Sequence, residues 1–155
     1  MKIKTLKYAA AVMVLGTIGV TAVSAHSMST GNADADKRIT MMKELGMHMK
    51  KIAAVAKGEA KYSAALKKDA AGISEISAAM PDLFPEGSGG EKTRSKPEIW
   101  SDAAGFDKAV KDFQMAAAGL VAAVESGDQG QIGAALGATG KTCGGCHKPY
   151  RKPEH

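Results

Sequence analysis

The chain has 155 residues, with 21 Lys and Arg against 16 Asp and Glu, 45% hydrophobic but only 5% aromatic residues, and two cysteines. That length suits one domain plus a processed segment, and two cysteines cannot build a disulfide framework. The formal charge is +5, but three of those charges, Lys2, Lys4 and Lys7, precede the first apolar run and leave +2 for the rest; with no interleaved aromatic and basic residues, nucleic acid is excluded as a partner.

The three lysines, the apolar run from Tyr8 to Val20 and the small residues Val23-Ser24-Ala25 have the layout of a secretory signal peptide cleaved before His26. The apolar run is short for a membrane span and no stop-transfer charges follow it, so no span is expected after cleavage. Residues 1–25 are then leader, and 26–155 form a mature domain of 130 residues. No arginine pair marks the leader, which points to the general export route.

His26 to Ala35 is small and polar, a frayed start. Asp34 or Asp36 caps a first helix that runs to about Lys57 and ends at Gly58, with the stripe Ile39, Met42, Leu45, Met49, Ile52 and Ala56. A second helix from about Tyr62 to Ala79 carries Leu66, Ala70, Ile73, Ile76 and Met80, and Pro81 stops it. Gly72 inside it costs about 1 kcal/mol relative to alanine, which packing must offset. Pro81 to Pro97 is a loop, long for a bundle connection unless it crosses one end or touches a cofactor edge. Ser95-Lys96-Pro97-Glu98 has capping-box spacing. Ser101 or Asp102 starts a third helix with the stripe Phe106, Val110, Phe113, Ala117, Leu120, Val121 and Val124, ended by Gly127. Asp128 with Gln131 caps a fourth, bearing Ile132 and Leu136, which Pro149 kinks or ends. No strand pattern or repeat occurs. The reading is all-α, an antiparallel four-helix bundle.

The fourth helix carries Cys143-Gly144-Gly145-Cys146-His147. Cys-x-x-Cys-His is the attachment pattern of one covalent haem c. Two thiols three positions apart add to the two vinyl groups of a porphyrin, and the next imidazole, His147, binds the iron. A thiol-redox pair would sit in a βαβ pattern, which is missing, and a zinc site would need ligands beyond the only two cysteines. A large flat group also supplies bulk that an alanine-rich, aromatic-poor core lacks. Haem attachment after export places the protein in a bacterial periplasm.

The sixth iron position faces candidates on the first helix: Met41, Met42, Met47, His48 and Met49. At about 100° per residue, Met42 and Met49 lie within ~20° of one another on the apolar stripe. Met41 is a flank position, and Met47 and His48 point away, His48 most simply to solvent. Methionines on such a stripe are more often core filler than ligands, and periodicity does not choose between Met42 and Met49.

The mature chain resembles the cytochrome c′ family, four-helix bundles with one haem c attached near the C-terminus. The features that carry the resemblance are Arg38, the run from Met49 to Gly58-Glu59, Pro97-Glu98-Ile99-Trp100, and Cys143-Gly144-Gly145-Cys146-His147 followed by Tyr150-Arg151. In high-spin members an apolar residue, commonly leucine, blocks the sixth site. Counting back sixteen residues from the family's Lys-Gly-Glu turn, matched here by Lys57-Gly58-Glu59, places Met42 there. A methionine at that site, with the Leu83-Phe84-Pro85 loop, is most like the low-spin cytochrome c-556 branch, in which it ligates the iron. The resemblance also implies that Arg38 pairs with a haem propionate, that Arg151 lies near the histidine side, and that Trp100 packs along the haem edge. Relatives often pair through their first two helices, so a homodimer is among the implied partners.

The expected function is a soluble periplasmic monohaem carrier of single electrons through a six-coordinate His147/Met42 haem, serving redox partner proteins and not itself an enzyme. The alternative is a five-coordinate, high-spin protein whose vacant side takes up nitric oxide or carbon monoxide, with Met42 only shielding the iron.

Overall fold

Helix α1 (Ala33–Ala56) is followed by α2 (Leu66–Ala79), the one-turn α3 (Glu98–Ser101), α4 (Ala103–Ser126) and α5 (Gln129–Tyr150), with a 3-10 turn at Met80–Leu83 after α2. The computed structural model describes residues 29–153, so the expected leader, His26 and His155 lie outside the described residues. Among these, no helix is long and apolar enough to cross a membrane. The only strand-like pairing recorded among them is a single antiparallel bridge between Ser95 and Arg151.

The four long helices close a ring in which α1 packs on α2 and α5, α4 packs on the same two, and α1 and α4 stand across the diagonal. Short connections turn α1 back onto α2 and α4 onto α5, and hydrogen bonds at the helix ends set the other two adjacent pairs antiparallel. Gln129, opening α5, donates to the carbonyl of Val55 near the end of α1 at 3.1 Å. Tyr62, just before α2, donates to the carbonyl of Val124 near the end of α4 at 2.8 Å. The core between the helices is aliphatic: Ile52, Ile73, Leu120, Val124 and Ile132 are fully buried, each contributing about 1.5–3 kcal/mol.

The expected stripes of α2 and α4 are found; on α1 only Leu45 and Ile52 are buried, with Met42, Met49 and Ala56 on the core margin and Ile39 half-buried outside it, and there are local corrections. Asn32, not Asp34 or Asp36, caps α1 by accepting from the Ala35 N–H; Asp36 instead accepts from the Thr30 N–H and the Ser29 hydroxyl outside the helix. Helix α2 starts at Leu66, four residues later than expected, because Tyr62 is drawn off to α4 and the chain from Ser63 makes 3-10-type turns. Pro81 ends α2 but sits at the start of the 3-10 turn that follows, since the first helical positions need no N–H from it. The expected capping box at Ser95 does not form: Ser95 pairs with Arg151, and Pro97 precedes α3 with no side-chain cap. Asp102 does cap α4, and Asp128 caps α5 through the Gln131 N–H. Gly127 closes α4 with φ +71°, a left-handed conformation that glycine adopts without strain.

His48 is not the solvent-facing residue its helix position implies. Its Nδ1 lies 2.8 Å from Asp69 Oδ1, and its ring lies over Gly72, where a Cβ would come within 2.6 Å of Nε2. The glycine that weakens α2 locally thus admits an imidazole from α1. Lys51 Nζ donates to the same Asp69 oxygen at 2.8 Å. Burial acts to raise the Asp69 carboxyl, but the hydrogen bonds from Lys51 and His48 outweigh it and hold the group below its ordinary value. A carboxyl depressed by folding stabilises the protein above its unfolded value near ~4, and that contribution is lost as pH falls through the folded value. We expect acid titration followed by circular dichroism to show stability falling below about pH 4, and Asp69→Asn to flatten that slope while costing about 1–3 kcal/mol at neutral pH. An unchanged slope would remove Asp69 from the acid transition.

Candidate haem site

Cys143, Cys146 and His147 occupy the last two turns of α5 and are all half-buried. Between Thr139 and Tyr150 no side chain of α5 is buried, yet both cysteines pack on the margin of the core. Met41, Met42 and Met49 do the same from α1, so Met41 packs on the core although a flank position was expected. Met47 is exposed, as expected.

The antiparallel register of α1 and α5 sets the level of each methionine. Thirteen residues separate Met42 from Val55, and thirteen separate Gln129 from Thr142. At about 1.5 Å per residue, both intervals are ~20 Å along their helices. Met41 and Met42 therefore stand level with the start of the Cys-x-x-Cys-His stretch. Met49 is level with Ala135, more than two turns away.

Cys143 and Cys146 form no disulfide. Burial raises Cys143, and burial together with Cys143 pushes Cys146 up to about 11. Thiol-exchange motifs work by the opposite shift, since the thiolate is their nucleophile. The haem-free chain should therefore alkylate slowly near pH 7, with the rate climbing until the pH approaches 11; iodoacetamide labelling read by mass spectrometry tests this, and fast modification at pH 7 would restore the thiol-redox reading. His147 is shifted down, first by burial and then by the positive charges of Arg151 and Arg94. At neutral pH it is an uncharged imidazole, the form that binds a metal. Arg151 Nη1 lies 3.3 Å from His147 Nδ1, and the guanidinium, which only donates, leaves Nε2 to other partners.

The long loop does more than cross an end of the bundle. The Lys96 N–H donates to the carbonyl of Tyr150 at 3.0 Å, and the Lys152 N–H donates to the carbonyl of Arg94 at 2.7 Å. Arg94 Nε donates in turn to the carbonyl of Lys152 at 3.0 Å. The chain that follows the motif is thereby bound to the loop. At the other end of the loop, Arg38 is 4% exposed and donates to the carbonyls of Leu83 and Ser88 and to the Ser88 hydroxyl, all within 2.9 Å. Its guanidinium also lies 4.8 Å from the Phe84 ring centroid. Burial lowers its pKa, opposed by the charge of Asp34. These three hydrogen bonds use three of the five guanidinium N–H groups, so donors remain for an anionic group. Trp100 is half-buried and donates from Nε1 to the Phe84 carbonyl at 3.0 Å. The motif alone does not point to Ser88, Asp102 or Tyr150, which hold these parts in place; Asp102 carried a sequence signal only as a helix start, Tyr150 only within the resemblance, and Ser88 none.

The family model described as Cytochrome C′ matches residues 34–151. The chain belongs to the cytochrome c′ family. It is 38% identical over 121 residues to cytochrome c′ of Pararhodospirillum photometricum, covering 77% of this chain and 97% of that one. It is 36% identical over 158 aligned positions to cytochrome c-556 of Agrobacterium fabrum, covering 97% of each. A solved structure of Alcaligenes xylosoxidans cytochrome c prime, a ferrous variant with bound NO, superposes with a TM-score of 0.72 at 33% identity, covering 78% of this chain and 94% of that one. The family's fold is the four-helix bundle seen here, its cofactor is haem c, and its members carry electrons or bind small ligands. The residues present suit that cofactor: two raised-pKa thiols and a neutral imidazole share one end of α5, beside half-exposed apolar side chains that a flat apolar group would cover.

Proposed function

We propose that this chain is a periplasmic one-electron carrier of the cytochrome c-556 kind, exported by the leader 1–25. Cys143 and Cys146 would hold one haem c through thioether bonds, and His147 and Met42 would supply the nitrogen and the sulfur that bind its iron. When bound, the haem supplies the ferric/ferrous couple. The observation that carries the reading is the level of Met42: half-buried on the core margin, it stands at the height of the Cys143–Cys146 turn in the α1–α5 register that Gln129 and Val55 set, and Met49 does not. A thioether opposite an imidazole favours the ferrous state and raises the potential. With both ligands supplied by the chain, little rearrangement accompanies electron transfer and no position is left for a substrate. Arg38 would offer its remaining N–H groups to a haem propionate, Trp100 would pack against the haem, and Arg151 would stay beside the His147 imidazole, 3.3 Å from its Nδ1. Electrons pass to and from redox partner proteins.

The second reading rests on the Alcaligenes xylosoxidans relative, whose ferrous variant is described with bound NO: there Met42 shields one side of an otherwise open iron. Visible spectra of the reduced protein with and without carbon monoxide decide. A sharp low-spin spectrum that carbon monoxide leaves unchanged is the expected result, and a high-spin spectrum with rapid uptake would overturn the carrier assignment.

A further inference from the structure

We propose that Tyr150 is a positioning residue for His147, holding the last turn of α5 through a hydrogen bond from its hydroxyl to Asp102 on α4. The inference rests on the axial role of His147 given above and adds the device that holds the imidazole in place.

The turn that presents His147 is weak by its own composition. Gly144 and Gly145 each cost about 1 kcal/mol relative to alanine in a helix. Pro149 lacks the N–H that would bond the carbonyl of Gly145, and the last carbonyls of any helix lack partners within it. The geometry therefore has to come from outside the turn, and Tyr150 supplies it three ways. Its hydroxyl donates to Asp102 Oδ2 at 2.8 Å. The other oxygen of that carboxylate accepts the Gly105 N–H at 3.2 Å as the cap of α4, so the anchor is itself fixed to a helix start. The ring meets Phe106 edge-on, with centroids 5.3 Å apart and planes at 90°. The Tyr150 carbonyl accepts the Lys96 N–H from the loop.

Gly105 adds an independent sign that this hydroxyl has a reserved place. A Cβ there would come within 2.5 Å of the Tyr150 hydroxyl and would collide with the Asp102 carboxylate. His147 lies three residues before Tyr150, and side chains at that spacing share one face of a helix. The carbonyl of His147 accepts the Arg151 N–H at 3.0 Å, so a displacement at Tyr150 reaches the imidazole through the backbone. A cavity of about 310 Å³ is lined by Gly105, Tyr150 and Cys146 together, which puts the anchor beside the attachment residues. The hydrogen bond to Asp102, followed by burial and the carboxylate charge, pushes the phenol up to about 12, so it stays a donor at any working pH.

The test compares holoprotein of the wild type, Tyr150→Phe and Gly105→Ala by potentiometric titration and by electron paramagnetic resonance of the ferric state. A looser imidazole donates less to ferric iron, so Tyr150→Phe should raise the potential, by up to about tenfold in the redox equilibrium or ~59 mV, and shift the resonance signature at full haem content. Gly105→Ala should move both readouts in the same direction, although alanine is the better helix former at that position. Potentials and resonances equal to wild type in both variants, with only the melting temperature lowered, overturn the inference and leave Tyr150 a structural residue. Absence of histidine ligation in the wild-type spectrum would overturn the inference too, and shows in the parent protein that the axial assignment has failed.

Discussion

Replacing Met42 by alanine is expected to turn a low-spin, carbon monoxide-resistant protein into a high-spin one that takes up carbon monoxide and has a lower potential. The imidazole of His147 remains, so the loss is confined to the sixth ligand, and a thioether is what holds the potential up. Met41 is the strict control, because it shares the level of Met42 beside the Cys143–Cys146 turn and packs on the same core margin. Met49→Ala is the looser one, a heptad further along α1. Both controls should keep the low-spin spectrum. Each substitution removes a half-buried side chain and should cost less than the 2–5 kcal/mol typical of a fully buried methionine, so folding does not obscure the spectral result. A switch caused by Met41→Ala or Met49→Ala, with Met42→Ala silent, would move the ligand to that position.

Arg38→Leu is expected to be the most destabilising single change in the chain outside the haem attachment. The side chain is 4% exposed and bonds three oxygens of the 83–88 segment. Leucine fills part of the volume but leaves the carbonyls of Leu83 and Ser88 without their donor. Losing charge-assisted hydrogen bonds and stranding buried acceptors costs about 3 kcal/mol or more, or ~10 °C in melting temperature for a domain of this size. Arg38→Lys keeps the charge but presents one ammonium in place of a planar fork, and should fall between the two. Thermal melts followed at 222 nm check the order, and a leucine variant that melts with the wild type would show that the loop stands without Arg38.

Much of this was legible from residue types and spacing. The stripes Leu66, Ala70, Ile73 and Ile76 of α2 and Phe106, Val110, Phe113, Ala117, Leu120 and Val124 of α4 are buried as their period requires. The breaks at Gly58, Pro81 and Gly127 and the caps at Asp102 and Asp128 also fall where local chemistry puts them. These are short-range properties: a period of 3.6 selects a face, and a cap or a proline acts within one turn. Apart from the α1 cap, which moved within one turn to Asn32, the errors named here lie where a distant partner overrode a local preference. Tyr62 left the start of α2 for the Val124 carbonyl, Ser95 left its capping box for Arg151, and His48 turned toward Asp69 and Gly72.

The candidate site divides along the same line. Cys143, Cys146 and His147 lie within five consecutive residues, so sequence alone carries the proposed attachment chemistry and, with the period of the helices, determined the four-helix bundle. Periodicity left Met42 and Met49 equivalent because they differ by one heptad, which changes the depth of a residue but hardly its face. Only the antiparallel pairing of α1 with α5 sets depth, since it ties Val55 to Gln129 and so brings Met42 level with the cysteines. The anchoring of Arg38 on the Ser88 loop and of Tyr150 on Asp102 likewise joins residues 45 to 50 positions apart. Such contacts follow from which helices become neighbours, and no local pattern of side chains encodes that.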